Sequence, residues 1–453
     1  MIALRVALML ALGCLASAQD VVLTGSITRA DYQTYKRVAF TVPEGVERLT
    51  VEFAYTTRDQ QTVIDLGIFD GERFRGWSGG NKSTFTLSTT DATPSFLPGP
   101  IRPGRWFLLL GVPNIREGVR SEFTAKIYFG RNDAPALRSG PAWYRGDLHM
   151  HTGHSDGACS SQSGARVPCP VYKTVEAAAG RGLDFIAITD HNTISQFNDM
   201  RELQPYFDRL LLIPGREITT FQGHANVFGP VDFMDFRLGL ASLHGLISIN
   251  HPMAPTGEAC MGCGWTVANT DFRHIDAVEA VNGGVTDGPY SGIPFWDGLL
   301  NQGFRITAVG GSDNHDASKS LTEPGSVGYP TTVVQAQELS QTAILDGIRA
   351  GHVFLDVEGS KDRLLEYTAS VGDRKAEMGD AIAVNRGEVV RITVHVENVP
   401  EGSLELIEDG RAQAKNSQSF DWTSDGARHW LRVVVRTPSG RLVLLGNPIY
   451  VNY

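Results

Sequence analysis

Residues 183–193 read Leu183-Asp184-Phe185-Ile186-Ala187-Ile188-Thr189-Asp190-His191-Asn192-Thr193. An apolar run this short, closed by Thr-Asp-His, has the pattern of a buried strand that carries polar groups at its end. The same pattern recurs on both sides: strands are expected at 144–151, 184–190, 210–218, 246–250, 275–281, 305–310 and 331–334. Helix-like segments at 171–179, 238–244, 294–301 and 339–350 lie between or after several of them. Alternating strands and helices imply a parallel α/β sheet, and seven strands between 142 and 357 suit a TIM-like barrel closed on itself, with chemistry at the C-terminal strand ends.

The flanks read differently. Residues 20–135 alternate short β-rich runs with turn clusters, as in Arg37-Val38-Ala39-Phe40-Thr41-Val42 and Trp106-Phe107-Leu108-Leu109-Leu110, which predicts an antiparallel β-sandwich. A linker is expected over 131–141, which holds Asn132, Asp133, Pro135, Gly140 and Pro141. Residues 365–453 return to β alternation and predict a second, smaller β-sandwich with a structural or glycan-binding role.

With 42 % hydrophobic and 20 % charged residues over a length of 453, the chain is a folded protein of several domains rather than a disordered or fibrous one. A net charge of −10 argues against a nucleic-acid partner held by its phosphates, and no run reaches the length of a transmembrane helix. Residues 1–18 carry Arg5, an apolar stretch over 6–15 and a small-x-small end, Ala16-Ser17-Ala18. This predicts a signal peptide cut before Gln19 and an exported protein, periplasmic or extracellular, with Gly13-Cys14 as a competing lipoprotein site. Four further cysteines fit that compartment: the expected pairs are Cys159 with Cys169 and Cys260 with Cys263, and the alternative is one zinc on all four thiolates.

Of the nine histidines among residues 149–315, eight, His149, His151, His154, His191, His224, His251, His274 and His315, form the candidate set, most of them at expected strand ends. Strand residues at i and i+2 share a face, so Asp147-Leu148-His149-Met150-His151 presents a carboxylate and two imidazoles together. Asp313-Asn314-His315 repeats the spacing, and other strands deliver His191, Glu217 with His224 just beyond, His251 and Glu279. Each histidine alone reads more readily as a hydrogen-bonded structural residue than as a ligand, and Glu217 alone as an ion-pair partner. Converging at one end of a sheet, they would repel one another unless a cation lay between them, which predicts a metal centre.

The ordered motifs Asp147-Leu148-His149-Met150-His151-Thr152 with Ser155-Asp156-Gly157, Ile188-Thr189-Asp190-His191-Asn192, Pro214-Gly215-Arg216-Glu217, Asn250-His251-Pro252 and Gly311-Ser312-Asp313-Asn314-His315 resemble those of the polymerase and histidinol phosphatase (PHP) superfamily. Thr331-Thr332-Val333-Val334 and Gly351-His352-Val353 resemble its secreted, carbamate-hydrolase-like branch. The resemblance implies a distorted (β/α)7 barrel with two or three divalent metals, Zn, Mn or Fe: a first on His149, His151, Glu217 and Asp313, a second on Glu217, His224 and His251, and a third on Asp156, His191 and His315.

Mixed imidazole and carboxylate ligands suit these metals, and a hydroxide bridging them is the expected nucleophile. With a metal-held hydroxide as nucleophile, no serine or cysteine nucleophile is required. The expected catalytic set is Glu217 and Asp313 with His154 as proton donor and Arg216 as phosphate ligand, each of the latter two read alternatively as a surface or outward-facing residue. His274 is a second candidate donor, and Asn192 and Asn314 are expected to orient ligands. The function predicted is hydrolysis of a phosphomonoester or diester, with a carbamate, ester or amide as the alternative substrate and a non-catalytic glycan-binding module as a third reading. A cation facing the metals would favour phosphate; an apolar pocket built on Trp265, Phe295 and Trp296 would favour an aryl carbamate or ester.

Overall fold

The computed structural model describes residues 21–130, 136–258, 260–415 and 417–453. The expected signal peptide, and 131–135 of the expected linker, lie outside the described residues. The chain divides into two compact units, up to Asp133 and from Ala134 onward.

In the first unit, two four-stranded antiparallel sheets enclose one core. One sheet runs in the order Val21–Ile27, Ser121–Phe129, Arg48–Tyr55, Thr84–Ser88, and the other in the order Tyr35–Val42, Gly104–Asn114, Val63–Phe69, Phe74–Ser78. Period-two alternation is clean in Ser121–Phe129, where Phe123, Ala125 and Ile127 are buried and Glu122 and Lys126 are exposed. The inward residues meet Leu49, Val51, Phe85, Trp106 and Leu108 from the neighbouring strands.

The second unit overturns the expected barrel. Over all the described residues, both units together, strand accounts for 43 % and helix for 12 %, with four α-helices. The main element is a 15-stranded mixed sheet. Its parallel part follows the expectation locally: Phe185–Ile188, all four residues buried, lies between Arg138–Asp147 and Leu211–Thr219 in parallel register, Phe185 opposite Gly146 and Leu211. A closed barrel needs a ladder from its last strand back to its first. Here, among the described residues, the strand Thr307–Gly311 is laddered to Ala277–Asn282, and the segments beyond it and beyond Arg138–Asp147 meet through the isolated parallel bridge Met150–Asn314 rather than a ladder, while the free edge of Arg138–Asp147 is taken by Thr331–Leu339 running antiparallel, with Val334 opposite Tyr144. That strand hands the sheet on to Val353–Asp356 and then to Leu442–Gly446 and His429–Arg436. The sheet therefore runs on into the C-terminal strands and does not close.

Two local departures feed the same outcome. Leu211–Thr219 turns back antiparallel into His224–Phe228, with Thr219 opposite His224. The segment 238–244, expected as a helix, holds only the 3-10 turns Phe236–Leu238 and Leu240–Ser242, split by Gly239 at φ 79°. Where helices do form, their ends are set by ordinary signals. Gly182 and Gly351 take left-handed φ after Val171–Arg181 and Gln341–Ala350, and the Ser340 side chain accepts from Ala343 N at the start of the latter. Beyond residue 364, Leu364–Val371, Arg374–Glu377, Val389–Glu397 and Ser419–Thr423 form a four-stranded antiparallel sheet. Its Leu365, Tyr367, Ile392 and Phe420 share a core with Leu431, Val433 and Leu444 of the large sheet.

Candidate metal centre

Asp147 pins the site. It is fully buried and accepts the backbone N–H groups of His149 at 3.1 Å, Ser312 at 3.0 Å and Gly328 at 2.7 Å. Burial pushes its carboxyl up, and these donors work against that. The chain beyond it stays extended: Asp313 N donates to His149 O and His151 N to Asn314 O, both at 2.8 Å. Leu148 and Met150 enter the apolar core on either side, so His149 and His151 project together between them.

They project onto Glu217. This carboxylate, 0 % exposed, lies within 3.6 Å of a ring nitrogen of five histidines: His191 Nδ1 at 2.8 Å, His224 Nδ1 at 3.2 Å, His251 Nε2 at 3.3 Å, His149 Nε2 at 3.5 Å and His151 Nε2 at 3.6 Å. Asn250 Nδ2 donates to its Oε1 at 2.9 Å. Asp313 Oδ1 sits 3.3 Å from His149 Nε2 and 3.1 Å from His151 Nε2. Burial opposes ionisation of Glu217 and Asp313, yet the imidazoles, His149 foremost, hold both well below the usual carboxylate range. Burial likewise opposes the His149 cation, and Asp313, Glu279 and Glu217 raise it well above its ordinary value. Burial lowers His151.

A second group lies beside the first. Asp156 Oδ1 is 3.4 Å from His315 Nε2 and 3.6 Å from His191 Nε2, and the rings of His191 and His315 stack on His151 with centroids at 4.3 and 4.1 Å. The hydrogen bond from His315 holds Asp156 down at about 2; against the effect of burial, the same bond lifts His315 to about 9.

Donor atoms mutually within 4.8 Å of one another define four overlapping sets here: His149, His151 and Glu217; His149, His251 and Asp313; His151, Asp156, His191 and His315; and His224, His251 and Cys263. Together they bring all nine expected metal ligands to one place. Unpartnered buried atoms point the same way. His149 Nε2, Glu217 Oε2 and His224 Nδ1 are buried without a hydrogen-bond partner, although oppositely charged atoms stand within 3.6 Å. Such spacing, too long or misaligned for a hydrogen bond, is the room a cation of about 2.0–2.2 Å bond length takes between its ligands. The donor set fits a divalent metal.

The backbone is held out of its ordinary basins at the same spot. Asn192, His251 and Asp313 have φ of 51°, 26° and 51°, left-handed values of the kind that persist where the surroundings enforce them. Asn192 is enforced by a reciprocal clamp on Thr219, donating to its carbonyl and accepting from its N–H at 2.9 and 3.0 Å. Asn314 donates to the carbonyls of Asp316 and Gly325.

Four residues act here without having been placed in the expected ligand set. Glu279 Oε1 meets His149 Nδ1 at 3.0 Å and its Oε2 accepts His251 N at 2.9 Å, so one carboxylate orients two ligands. Asn282 donates to Glu279 at 3.0 Å and to Asp313 at 3.3 Å, Thr219 Oγ1 lies 2.6 Å from His191 Nδ1, and Asn250 holds Glu217 as described. Glu279 was visible as a strand carboxylate, and Asn250 precedes His251; nothing local marked Asn282 or Thr219.

Other candidates are placed elsewhere. Arg216 faces away from Glu217, buried, with its guanidinium donating to the carbonyls of Pro230 and Asp232 and stacked at 5.2 Å on Phe197. Burial lowers it to about 10. Both ring nitrogens of His154 are engaged, by Ser195 Oγ at 2.7 Å and Asp199 Oδ2 at 2.9 Å. His274 stands exposed on the 3-10 turn Phe272–His274. Trp296 is a core residue donating to Ile306 O, Phe295 packs at the edge of that core, and Trp265 lies over Gly223 beside the Leu211–Thr219 hairpin. Cys159 and Cys169 are bonded to one another, as are Cys260 and Cys263.

No protein-family model and no curated protein matches the chain.

Proposed function

We propose that this chain is a metal-dependent hydrolase of the PHP type, acting on a phosphate ester. The observation that carries the reading is Glu217, a fully buried carboxylate ringed by five imidazoles, with ligand atoms left unpartnered at donor spacing. His149, His151, Glu217 and Asp313 would hold one divalent metal, Glu217, His224 and His251 a second, and Asp156, His191 and His315 a third. Metal bound there supplies Lewis-acid polarisation of the scissile group and hydroxide at neutral pH. The protein's own part is positional. Asp147 fixes the strand end, and Glu279 aims His149 and holds the backbone N–H of His251. Hydrolysis adds water across the scissile bond; the oxygen joins phosphorus and the departing alcohol takes the proton.

Charge supports the phosphate reading. With three divalent ions the positive charge exceeds that of Asp156, Glu217, Asp313 and Glu279, which favours an anionic phosphoryl group. A second reading, a neutral carbamate or ester, is favoured by one observation: the ion-pair partners of Asp156, Glu217 and Asp313 among the described residues are all histidines, and Arg216 is turned away.

Metal content per chain, measured beside turnover of p-nitrophenyl phosphate, bis-p-nitrophenyl phosphate and naphthyl carbamate, tests both. Two or more metals, lost together with one activity in a His149→Ala, His151→Ala variant, are expected. Less than one metal per chain after loading with Zn2+ or Mn2+, with no turnover, would end the enzyme reading.

A further inference from the structure

Both imidazoles of the proposed second metal position are held from behind by one tetrapeptide. His224 Nε2 lies 3.2 Å from the Met261 carbonyl and His251 Nδ1 lies 3.2 Å from the Cys263 carbonyl. A carbonyl only accepts, so each of these nitrogens carries its proton and donates. In the neutral ring that a metal ligand must be, the opposite nitrogens, His224 Nδ1 and His251 Nε2, are left with bare lone pairs, and both face Glu217 Oε1, at 3.2 and 3.3 Å. Lone pairs aimed at a carboxylate need a positive centre between them, either a proton on each ring or one metal ion shared by both. The tautomer of both ligands is thus written by the carbonyls of residues 261 and 263.

Those carbonyls are themselves fixed by closure of the loop. Cys260 and Cys263 are joined by a disulfide. Gly257 and Cys260 exchange backbone hydrogen bonds at 3.0 and 3.2 Å, and Thr266 N donates to Gln222 O at 2.6 Å, fastening the loop to the hairpin tip before His224. Gly262, at φ 81°, lies so close to that tip that a Cβ would stand 2.2 Å from Thr220 O. Cys263 is buried and its sulfur lies within 4.8 Å of ring nitrogens of His224 and His251, whereas Cys260 and Met261 are exposed. Cys260 is thus the member of the bridge that lies on the solvent side.

We propose that the Cys260–Cys263 bridge is the positioning element of the second metal position, so that opening it releases that metal while the one on His149, His151, Glu217 and Asp313 stays. The inference rests on the metallohydrolase reading above. Opening is a two-electron reduction: a dithiol gives two electrons and two protons, the sulfur–sulfur bond breaks into two thiols, and the dithiol leaves as its disulfide. With the bridge open the loop no longer holds both carbonyls behind the rings, and the imidazoles are free to turn.

Elemental analysis after gel filtration tests this on the full chain. The parent is compared with a Cys260→Ser, Cys263→Ser variant and with a Cys159→Ser, Cys169→Ser control, and separately with parent protein reduced by a phosphine and then reoxidised with oxidised glutathione. The expected result is one metal fewer per chain when the 260–263 bridge is absent or reduced, an unchanged count in the control, and return of the lost metal on reoxidation. An unchanged count with both thiols free overturns the inference, as does loss of all metals together with cooperative unfolding, which would make the bridge a simple staple. Absence of metal from the oxidised parent would instead overturn the reading beneath it.

Discussion

Replacing Glu217 by glutamine keeps the shape of the side chain and removes the charge that five imidazoles face. Metal content is expected to fall by at least one per chain and turnover by more than about 100-fold, since removing a ligand costs at least as much as removing its supporting partner; elemental analysis and a chromogenic assay check both. Glu279→Gln acts one step back. It weakens the grip on His149 Nδ1 and on the backbone of His251, and the expected loss is about 10–100-fold in metal affinity with the fold intact by circular dichroism. Proton competition gives a third expectation. His315 is lifted to about 9, so at neutral pH it holds a proton that a metal must displace, while Asp156, held at about 2, stays ionised throughout. Affinity at the outer position therefore rises with pH, about tenfold per unit for each proton displaced, and levels off above the His315 value. Calorimetric titration across that range reads the slope, and affinity falling with rising pH would contradict the assignment.

At the scale of elements, Arg216 and Glu217 show what one strand does with neighbours: adjacent residues face opposite ways, so one enters the metal group and the other the packing behind it. Arg216→Met is accordingly expected to cost roughly 1–3 kcal/mol of stability by leaving the Pro230 and Asp232 carbonyls without their donor, with KM for a phosphate ester unchanged; a large rise in KM would return Arg216 to the substrate. Which elements were legible follows the same physics. The apolar run Phe185–Ile188 and the i, i+2 histidines are local patterns, and they read correctly. The helix Gln196–Leu203 was not expected, because only Phe197 and Met200 mark its inward face beside Gln196. The expected helix over 238–244 failed because Gly239 and Gly245 both take positive φ, which interrupts a helical run. Residues 261 and 263 act through carbonyl oxygens, which every amino acid carries, so no side-chain pattern announced them.

For the whole molecule, the sequence shows which segments are strands but not which edges meet. Whether Thr307–Gly311 closes onto Arg138–Asp147 depends on competition with Thr331–Leu339, about 190 residues from that strand along the chain, and the antiparallel partner wins by offering a long register from Thr332 to Leu339. The cluster of histidines and carboxylates was legible despite that error because a strand end is a place on its own strand, and the strands 138–147, 211–219, 246–249 and 307–311 lie in one sheet whether or not it closes. All nine expected ligands fall in the unit from Ala134 onward. Metal binding should therefore stabilise that unit alone, by RT ln(1 + [L]/Kd), about 2.7 kcal/mol at a hundredfold excess over Kd. Scanning calorimetry of the full chain is expected to show separate unfolding transitions, of which the one assigned to residues 134–453 moves down on chelation and returns on reloading, while the other stays in place. The assignment comes from the fragment 136–453, which should reproduce the metal-sensitive transition and the parent's metal content. If chelation moved both transitions equally, or left both unmoved, the placement of the metal centre within this unit would have to be abandoned.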